Sequence, residues 1–109
     1  MKIPDFSPAT PRSDITYGID FANTLVDRER ITVVEWKLEV SYTAAHAPQV
    51  DTTPASKLLG RPDIVGGTLT RQRISGTLAG NTYLVTVLAT LNNGQKLEVW
   101  CHLTCVEPM

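Results

Sequence analysis

Two cysteines and a histidine near the end of the chain are the residues best suited to chemistry. Cys101 and Cys105 flank His102 in a Cys-x3-Cys arrangement that could form one corner of a metal site. At ~3.3 Å per residue an extended chain separates the two α-carbons by roughly 13 Å, beyond the ~7 Å reach of a disulfide. His102 would also point to the strand face opposite both cysteines. We therefore predict two buried free thiols rather than a disulfide or a metal ligand set.

The rest of the chain lacks the residue patterns of an active site. His46 lies on a proline-flanked loop, and no serine or cysteine motif accompanies either histidine. Gly66-Gly67 lacks the spaced glycines and the lysine of a phosphate-binding loop. Four acidic side chains lie without the regular spacing of a calcium loop: Asp14, Asp20, Asp27 and Glu29. The sequence thus predicts a protein that is not an enzyme and that uses no cofactor.

Length and charge exclude further classes of function. A chain of 109 residues forms one domain, and its net charge of -1 provides no basic surface for nucleic acid or anionic lipid. No apolar run approaches the ~20 residues of a membrane-spanning helix, and the first residues lack the apolar core of a signal peptide. We expect neither nucleic acid nor a membrane as a direct partner, and we expect the protein to be made and used on the cytoplasmic side or to leave the cell without secretion.

Alternation of apolar and polar residues predicts strands through most of the chain. The clearest alternating segments are 14–21, 32–42, 68–75, 83–91 and 97–105. Asn92-Asn93-Gly94 favours a tight hairpin turn between the last two. The residues predicted to face the core are Ile15, Tyr17, Ile19 and Phe21; Val34, Trp36, Leu38, Val40 and Tyr42; Ile74; Tyr83, Val85, Val87, Ala89 and Leu91; and Leu97, Val99, Cys101, Leu103 and Cys105.

Two segments depart from this pattern. Residues 1–13 contain three prolines and form an extended arm, either a disordered tail or a strap that becomes ordered on a neighbouring subunit. Residues 14–109 form the domain, within which prolines and glycines break up residues 44–67. This long connection allows short strands near Lys57-Leu59 and Ile64-Val65, and loops of this length are usually functional or disordered.

A tyrosine corner identifies the fold class. Residues 76–83 combine Leu78, a bend containing Gly80, and Tyr83 at the start of a long strand. In immunoglobulin-like sandwiches such a tyrosine reaches back to upstream backbone with its hydroxyl. The sequence therefore predicts an all-β fold, an immunoglobulin-like or fibronectin-like antiparallel β-sandwich of about seven strands.

Apolar side chains on faces that should be solvated indicate a contact surface. Leu84, Leu88 and Trp100 share such a face, unless an edge loop or the N-terminal arm folds over it. Arg71 and Arg73 lie together on another face and could dock a carboxylate or partner backbone, or remain solvated. The candidate interface residues are Trp100, Leu84, Leu88, Arg71, Arg73 and, on the arm, Pro4 and Phe6.

The sequence resembles the small fibre-tail adaptor family of tailed bacteriophages over about residues 14–106. The resemblance rests on Tyr17-Gly18-Ile19-Asp20-Phe21, on Val34-Glu35-Trp36, and on Ser75 to Tyr83 leading to Asn93-Gly94-Gln95. Residues 54–60 are also similar to a segment of small phage structural proteins. The matching positions Tyr17, Asp20, Trp36, Gly80 and Tyr83 carry folding roles, because Trp36 and Tyr83 fill the core and the corner and Gly80 permits the bend.

The resemblance implies a structural component of the virion, assembled in the host cytoplasm. It would act at the neck or tail, linking tail machinery to fibres or neighbouring ring proteins in several copies per particle. The 44–67 connection is longer than a minimal adaptor needs, which suggests a different docking partner. A capsid decoration protein remains an alternative. So does a module binding host surfaces or carbohydrate, although residues 44–67 carry none of the aromatic side chains typical of such modules.

Overall fold

The computed structural model describes residues 1–107; the last two residues of the predicted 14–109 domain lie outside the described part. Six strands form the fold, together with a 3₁₀ turn at Pro54–Lys57. The strands are β1 (Asp14–Asp20), β2 (Ile31–Thr43), β3 (Leu58–Val65), β4 (Leu69–Ser75), β5 (Asn81–Leu91) and β6 (Lys96–Thr104). None of the helical structure among these residues is long and apolar enough to span a membrane.

The strands form two antiparallel three-stranded sheets, ordered β1-β4-β3 and β2-β5-β6. This arrangement corresponds to strands B, E and D on one side and C, F and G on the other in an immunoglobulin constant-type domain. The predicted all-β antiparallel sandwich is confirmed. The N-terminal arm supplies further pairing beside β6, in addition to the six strands.

The core lies between the sheets and follows the predicted alternation most closely in β5 and β6. Tyr83, Val85, Val87 and Ala89 are fully buried, while each intervening residue of β5 is partly exposed. Cys101 and Cys105 are buried free thiols, as predicted. The two sheets are joined by a hydrogen bond that the Trp36 indole nitrogen donates to the hydroxyl of Thr70, at 2.9 Å.

Two residues predicted to face the core are exposed. Tyr42 is 63% exposed because the register of β2 against β5 shifts between Val40 and Tyr42. A bulge there places an extra residue in β2 and turns Tyr42 to the outer side, opposite Thr82. Ile15 is exposed near the start of β1, although it lies opposite the buried Ile74. The prediction for Tyr42 was wrong because the alternating pattern does not reveal a bulge.

The N-terminal arm is ordered against its own domain. It runs parallel to β6, with Lys2 beside Trp100 and Ala9 beside Cys105. Backbone N–H groups of the arm donate hydrogen bonds to carbonyl groups of β6: Ile3 to Trp100, Phe6 to His102 and Ala9 to Thr104. The donors are three residues apart along the arm, and the acceptors are two residues apart along β6. Pro4 and Pro8, which have no N–H, fall at positions skipped by this pairing. The arm is therefore ordered on its own domain in this structure, and contact with a neighbouring subunit stays a prediction.

The 44–67 connection contains more structure than the sequence predicts. The two short strands expected near residues 57–59 and 64–65 are parts of one strand, β3. Its register against β4 is interrupted between Leu59 and Asp63, where Gly60 has a positive φ of 72° and Pro62 follows. The prolines and glycines that suggested a loop instead mark an irregularity within an edge strand.

Candidate functional site

The outer face of the β2-β5-β6 sheet brings together the apolar residues predicted to form an interface. Three cross-strand rows make up this face: Glu35–Leu88–Glu98, Lys37–Thr86–Trp100 and Glu39–Leu84–His102. Trp100 therefore lies diagonally between Leu84 and Leu88, within reach of both for a side chain of its size. The predicted contact surface is one continuous patch, which we call the tryptophan face.

The tryptophan face is only partly covered. Trp100 is 36% exposed, whereas Leu84 and Leu88 are half-buried. A shallow depression there is lined by Ser41, Leu84, Thr86, Glu98, Trp100 and His102. A large aromatic ring beside a shallow depression is the kind of anchor that dominates binding energy at protein interfaces.

Acidic side chains surround the centre of this face. Glu35, Glu39 and Glu98 lie around a single lysine, Lys37, whose ammonium group is 2.9 Å from the Glu39 carboxylate. The hydrogen bond with Glu39 raises the pKa of Lys37, and the charges of Glu35 and Glu98 add to the shift. Within the three rows the carboxylates outnumber the ammonium groups three to one, and Lys2 at the border is paired with Asp5, so the face is favourable for a partner that presents basic and apolar groups.

The arm borders the tryptophan face and covers part of it. The Lys2 ammonium lies 5.6 Å from the centre of the Trp100 ring, and His102 contacts the same ring edge-on at 5.9 Å. Asp5 accepts a hydrogen bond from the His102 amide at 2.9 Å. The hydrogen bond from Lys2 and that from His102 lower the pKa of Asp5. The arm thus fixes the surroundings of Trp100 and leaves part of the indole accessible.

The two arm residues predicted to form an interface differ in their environment. Pro4 is exposed. Phe6 instead packs against Tyr17, with 4.6 Å between ring centres, and closes the side of the sandwich between β1 and β6. Phe6 therefore already has an intramolecular role, and contact of either residue with another protein remains a prediction.

Arg71 and Arg73 lie on the other sheet and are not part of the tryptophan face. The Arg71 guanidinium forms two hydrogen bonds with Asp63, at 3.1 and 2.7 Å, and Arg73 pairs in the same way with Asp14. These hydrogen bonds raise the pKa of both arginines and lower the pKa of both aspartates. A partner carboxylate would have to displace these exposed ion pairs to reach either guanidinium.

The predicted tyrosine corner is present and is part of a buried network that the sequence pattern did not reveal. The Tyr83 hydroxyl accepts a hydrogen bond from the Leu78 amide at 2.9 Å and donates one to Asp51 at 2.7 Å. Lys57 lies 3.3 Å from the same carboxylate. Asn81, which is fully buried, accepts a hydrogen bond from the Asp51 amide and donates to the carbonyl of Gln49.

This network anchors the 44–67 connection to the core. Burial alone would raise the pKa of Asp51, but hydrogen bonds from Tyr83 and the Thr53 amide, with the charge of Lys57, outweigh it and lower that pKa. Burial and the neighbouring carboxylate raise the pKa of Tyr83. In the sequence, the run Asp51-Thr52-Thr53-Pro54 is the one pattern that could have indicated a structural role for Asp51. It is typical of a turn in which the aspartate accepts a local hydrogen bond, as Asp51 does from the Thr53 amide.

A second concave surface lies at the tyrosine-corner end of the sandwich. This apolar cleft has a volume of about 350 Å³, and its lining includes Tyr42, His46, Pro48 and Val106. We call it the corner cleft. Within residues 1–107, no three side chains of the metal-binding types come together. The arrangement offers contact surfaces at two places on the domain.

Comparison with known proteins identifies one family. The model of the family described as "Podophage GP4 fiber-tail adaptor protein gp77" matches residues 10–104. The matched region includes all six strands, the tryptophan face and most of the lining of the corner cleft. No curated protein and no solved structure matches the chain.

Proposed function

Because the chain belongs to the podophage fibre-tail adaptor family, we propose that it joins the tail machinery to the fibres or to neighbouring ring proteins, in several copies per particle. Membership makes it a structural component of a phage tail. The observation that carries the proposal is the family match over residues 10–104, which spans the whole sandwich. We propose a binding role without catalysis for both surfaces.

An adaptor must hold two partners at once, and the two concave surfaces support this requirement. The tryptophan face combines an exposed indole with a ring of carboxylates, so it suits a partner with basic and apolar side chains. The corner cleft is mainly apolar and carries the exposed ring of Tyr42. An interface of standard size covers about 800 Å² on each partner, so either surface could form the centre of one.

Several copies on one particle would strengthen weak individual contacts. Each additional copy bound to the same assembly raises the effective concentration of the next contact. Moderate affinity at the tryptophan face is therefore sufficient for stable incorporation.

Particles assembled with Trp100→Ala test the role of the tryptophan face. We expect the variant to fold normally, because the indole is partly exposed, and to be depleted from purified particles. Leu59→Ala is a matched control, since Leu59 is 37% exposed on the other sheet. Incorporation of Trp100→Ala at the level of the control would contradict an essential contact at this face.

Electron microscopy of particles carrying a small gold-binding label on this protein tests the adaptor role itself. Label at the neck or tail, in a few discrete positions, supports it. Label spread over the capsid would show a decoration protein. Absence of label from particles would overturn the structural role and favour a module that binds host surfaces or carbohydrate.

A further inference from the structure

One long sheet edge of this domain is open. The edge of β6 is covered by the N-terminal arm, and the edge of β3 is interrupted at Gly60 and Pro62. β1 has only seven residues, and Phe6 of the arm lies on its Tyr17. Natural sandwiches use such devices to keep sheet edges from pairing with other chains. The edge of β2 has irregularities only near its two ends and lies near the 3₁₀ turn at Pro54–Lys57, but among residues 1–107 neither the arm nor a second strand pairs with it.

β2 offers a long, regular template for another strand. It has 13 residues without proline or glycine, and among residues 1–107 its only strand partner is β5. Within the described residues, positions 32–43 make no backbone hydrogen bond outside that ladder. The register against β5 is uninterrupted from Val33 to Val40, between irregularities near the two ends of the strand. The backbone groups on the free side of this stretch are therefore available to a partner strand.

We propose that β2 pairs antiparallel with β2 of a second copy of this chain, about a two-fold axis at Trp36. The two three-stranded sheets then form one six-stranded sheet. This inference concerns self-association and does not rest on the tail role proposed above.

Charge complementarity selects the register. A pairing that keeps the buried face buried must place outward residues opposite outward residues. A two-fold axis at Lys37 would set Lys37 against itself and Glu35 against Glu39, which opposes like charges. An axis at Trp36 sets Glu35 of each copy against Lys37 of the other and uses residues 33–39. An axis at Leu38 would extend the pairing into the bulge between Val40 and Tyr42.

The side chains at this edge are free to change partners. Lys37 now contacts Glu39 of its own strand, and both side chains are well exposed, so exchanging that contact for Glu35 of a second copy costs little. Val33, at the end of the paired stretch, is 59% exposed and becomes covered by the second copy. A lone lysine on an edge strand discourages pairing, but a lysine between two glutamates selects the register instead.

Sedimentation equilibrium of the full chain, with two charge reversals, tests the proposal. Wild type should dimerise with rising concentration. Glu35→Lys and Lys37→Glu each place like charges at both contacts, so each variant alone should associate about tenfold or more weakly. An equimolar mixture of the two variants restores both contacts and should form a heterodimer. Glu39→Lys is the control, because this residue faces Val33 across the axis and should change association little.

Three results would overturn the proposal. Wild type that stays monomeric to millimolar concentration has no such interface. Dimerisation unaffected by either reversal, or not restored in the mixture, places the contact elsewhere. Dimerisation that is lost only on deletion of residues 1–9 would show exchange of the arm instead. Restoration in the mixture also demonstrates that both variants are folded.

Discussion

The hydroxyl of Tyr83 should contribute substantially to stability, and Tyr83→Phe removes it with no other change in shape. The side chain is fully buried, so phenylalanine fills the same space. The substitution deletes the hydrogen bond donated to Asp51 and the one accepted from Leu78. A hydrogen bond to a charged group contributes about 1.5–3 kcal/mol, and a buried group left without a partner costs about 1–3 kcal/mol. We expect the free energy of unfolding to fall by about 3 kcal/mol.

Urea denaturation followed by tryptophan fluorescence measures this change, provided that the denaturant slope is unaltered. Tyr42→Phe is the matched control, because Tyr42 is exposed and its hydroxyl makes no hydrogen bond within residues 1–107. The control should change stability by less than about 0.5 kcal/mol. If Tyr83→Phe were no more destabilising than Tyr42→Phe, the corner network would not stabilise the fold as argued.

The stability difference between wild type and Tyr83→Phe should depend on pH. The pKa of Asp51 is lower in the folded protein than in the unfolded chain, where an aspartate titrates near 3.9. Its carboxylate therefore contributes stability that is present above about pH 4 and lost as the pH falls through the lower folded pKa. The difference between wild type and Tyr83→Phe should be largest near neutral pH and shrink in acid. A difference independent of pH would show that Asp51 is not the partner that matters.

Two further changes test how the bend and the arm act. Gly80→Ala should lower the free energy of unfolding by about 2–4 kcal/mol, because Gly80 has a φ of +83° and an added Cβ would lie 2.8 Å from the Ala47 Cα. Gly94→Ala is the control, because Gly94 has a similar φ but open space around it, and it should cost only about 1 kcal/mol. Equal losses measured by urea denaturation would contradict a steric role for Gly80. Deletion of residues 1–9 should speed modification of the two buried thiols by a thiol reagent, since Ala9 lies beside Cys105; an unchanged rate would show that the arm does not shield them.

Local patterns in the sequence were sufficient to predict the sandwich. The alternation in residues 83–91 and 97–105 depends only on which side chains avoid water, so it predicted the core of β5 and β6 correctly. The tyrosine corner was predictable because its residues lie within eight positions of one another. The orientation of Trp100 followed from the same period of two.

Features that depend on distant residues could not be predicted in this way. Tyr42 was assigned to the core because a bulge has no signature in the alternating pattern. The arm was interpreted as free, bound to a neighbour or folded over the outer face of Trp100, since nothing in residues 1–13 indicates that it pairs with the edge of β6. The single strand β3 was read as two fragments, because Gly60 and Pro62 normally end strands rather than interrupt them.

The sequence by itself determined the fold class, the inward stripes of β5 and β6 and the buried cysteines, because the hydrophobic effect acts on each side chain according to its type and period. Tertiary structure alone decided that Tyr83 donates a hydrogen bond to Asp51. It also decided that Arg71 and Arg73 form ion pairs with Asp63 and Asp14, and that one edge of β2 is not paired with another strand of the described residues. These outcomes depend on which strands become neighbours. That choice is made by the packing of the whole chain, and no local segment encodes it.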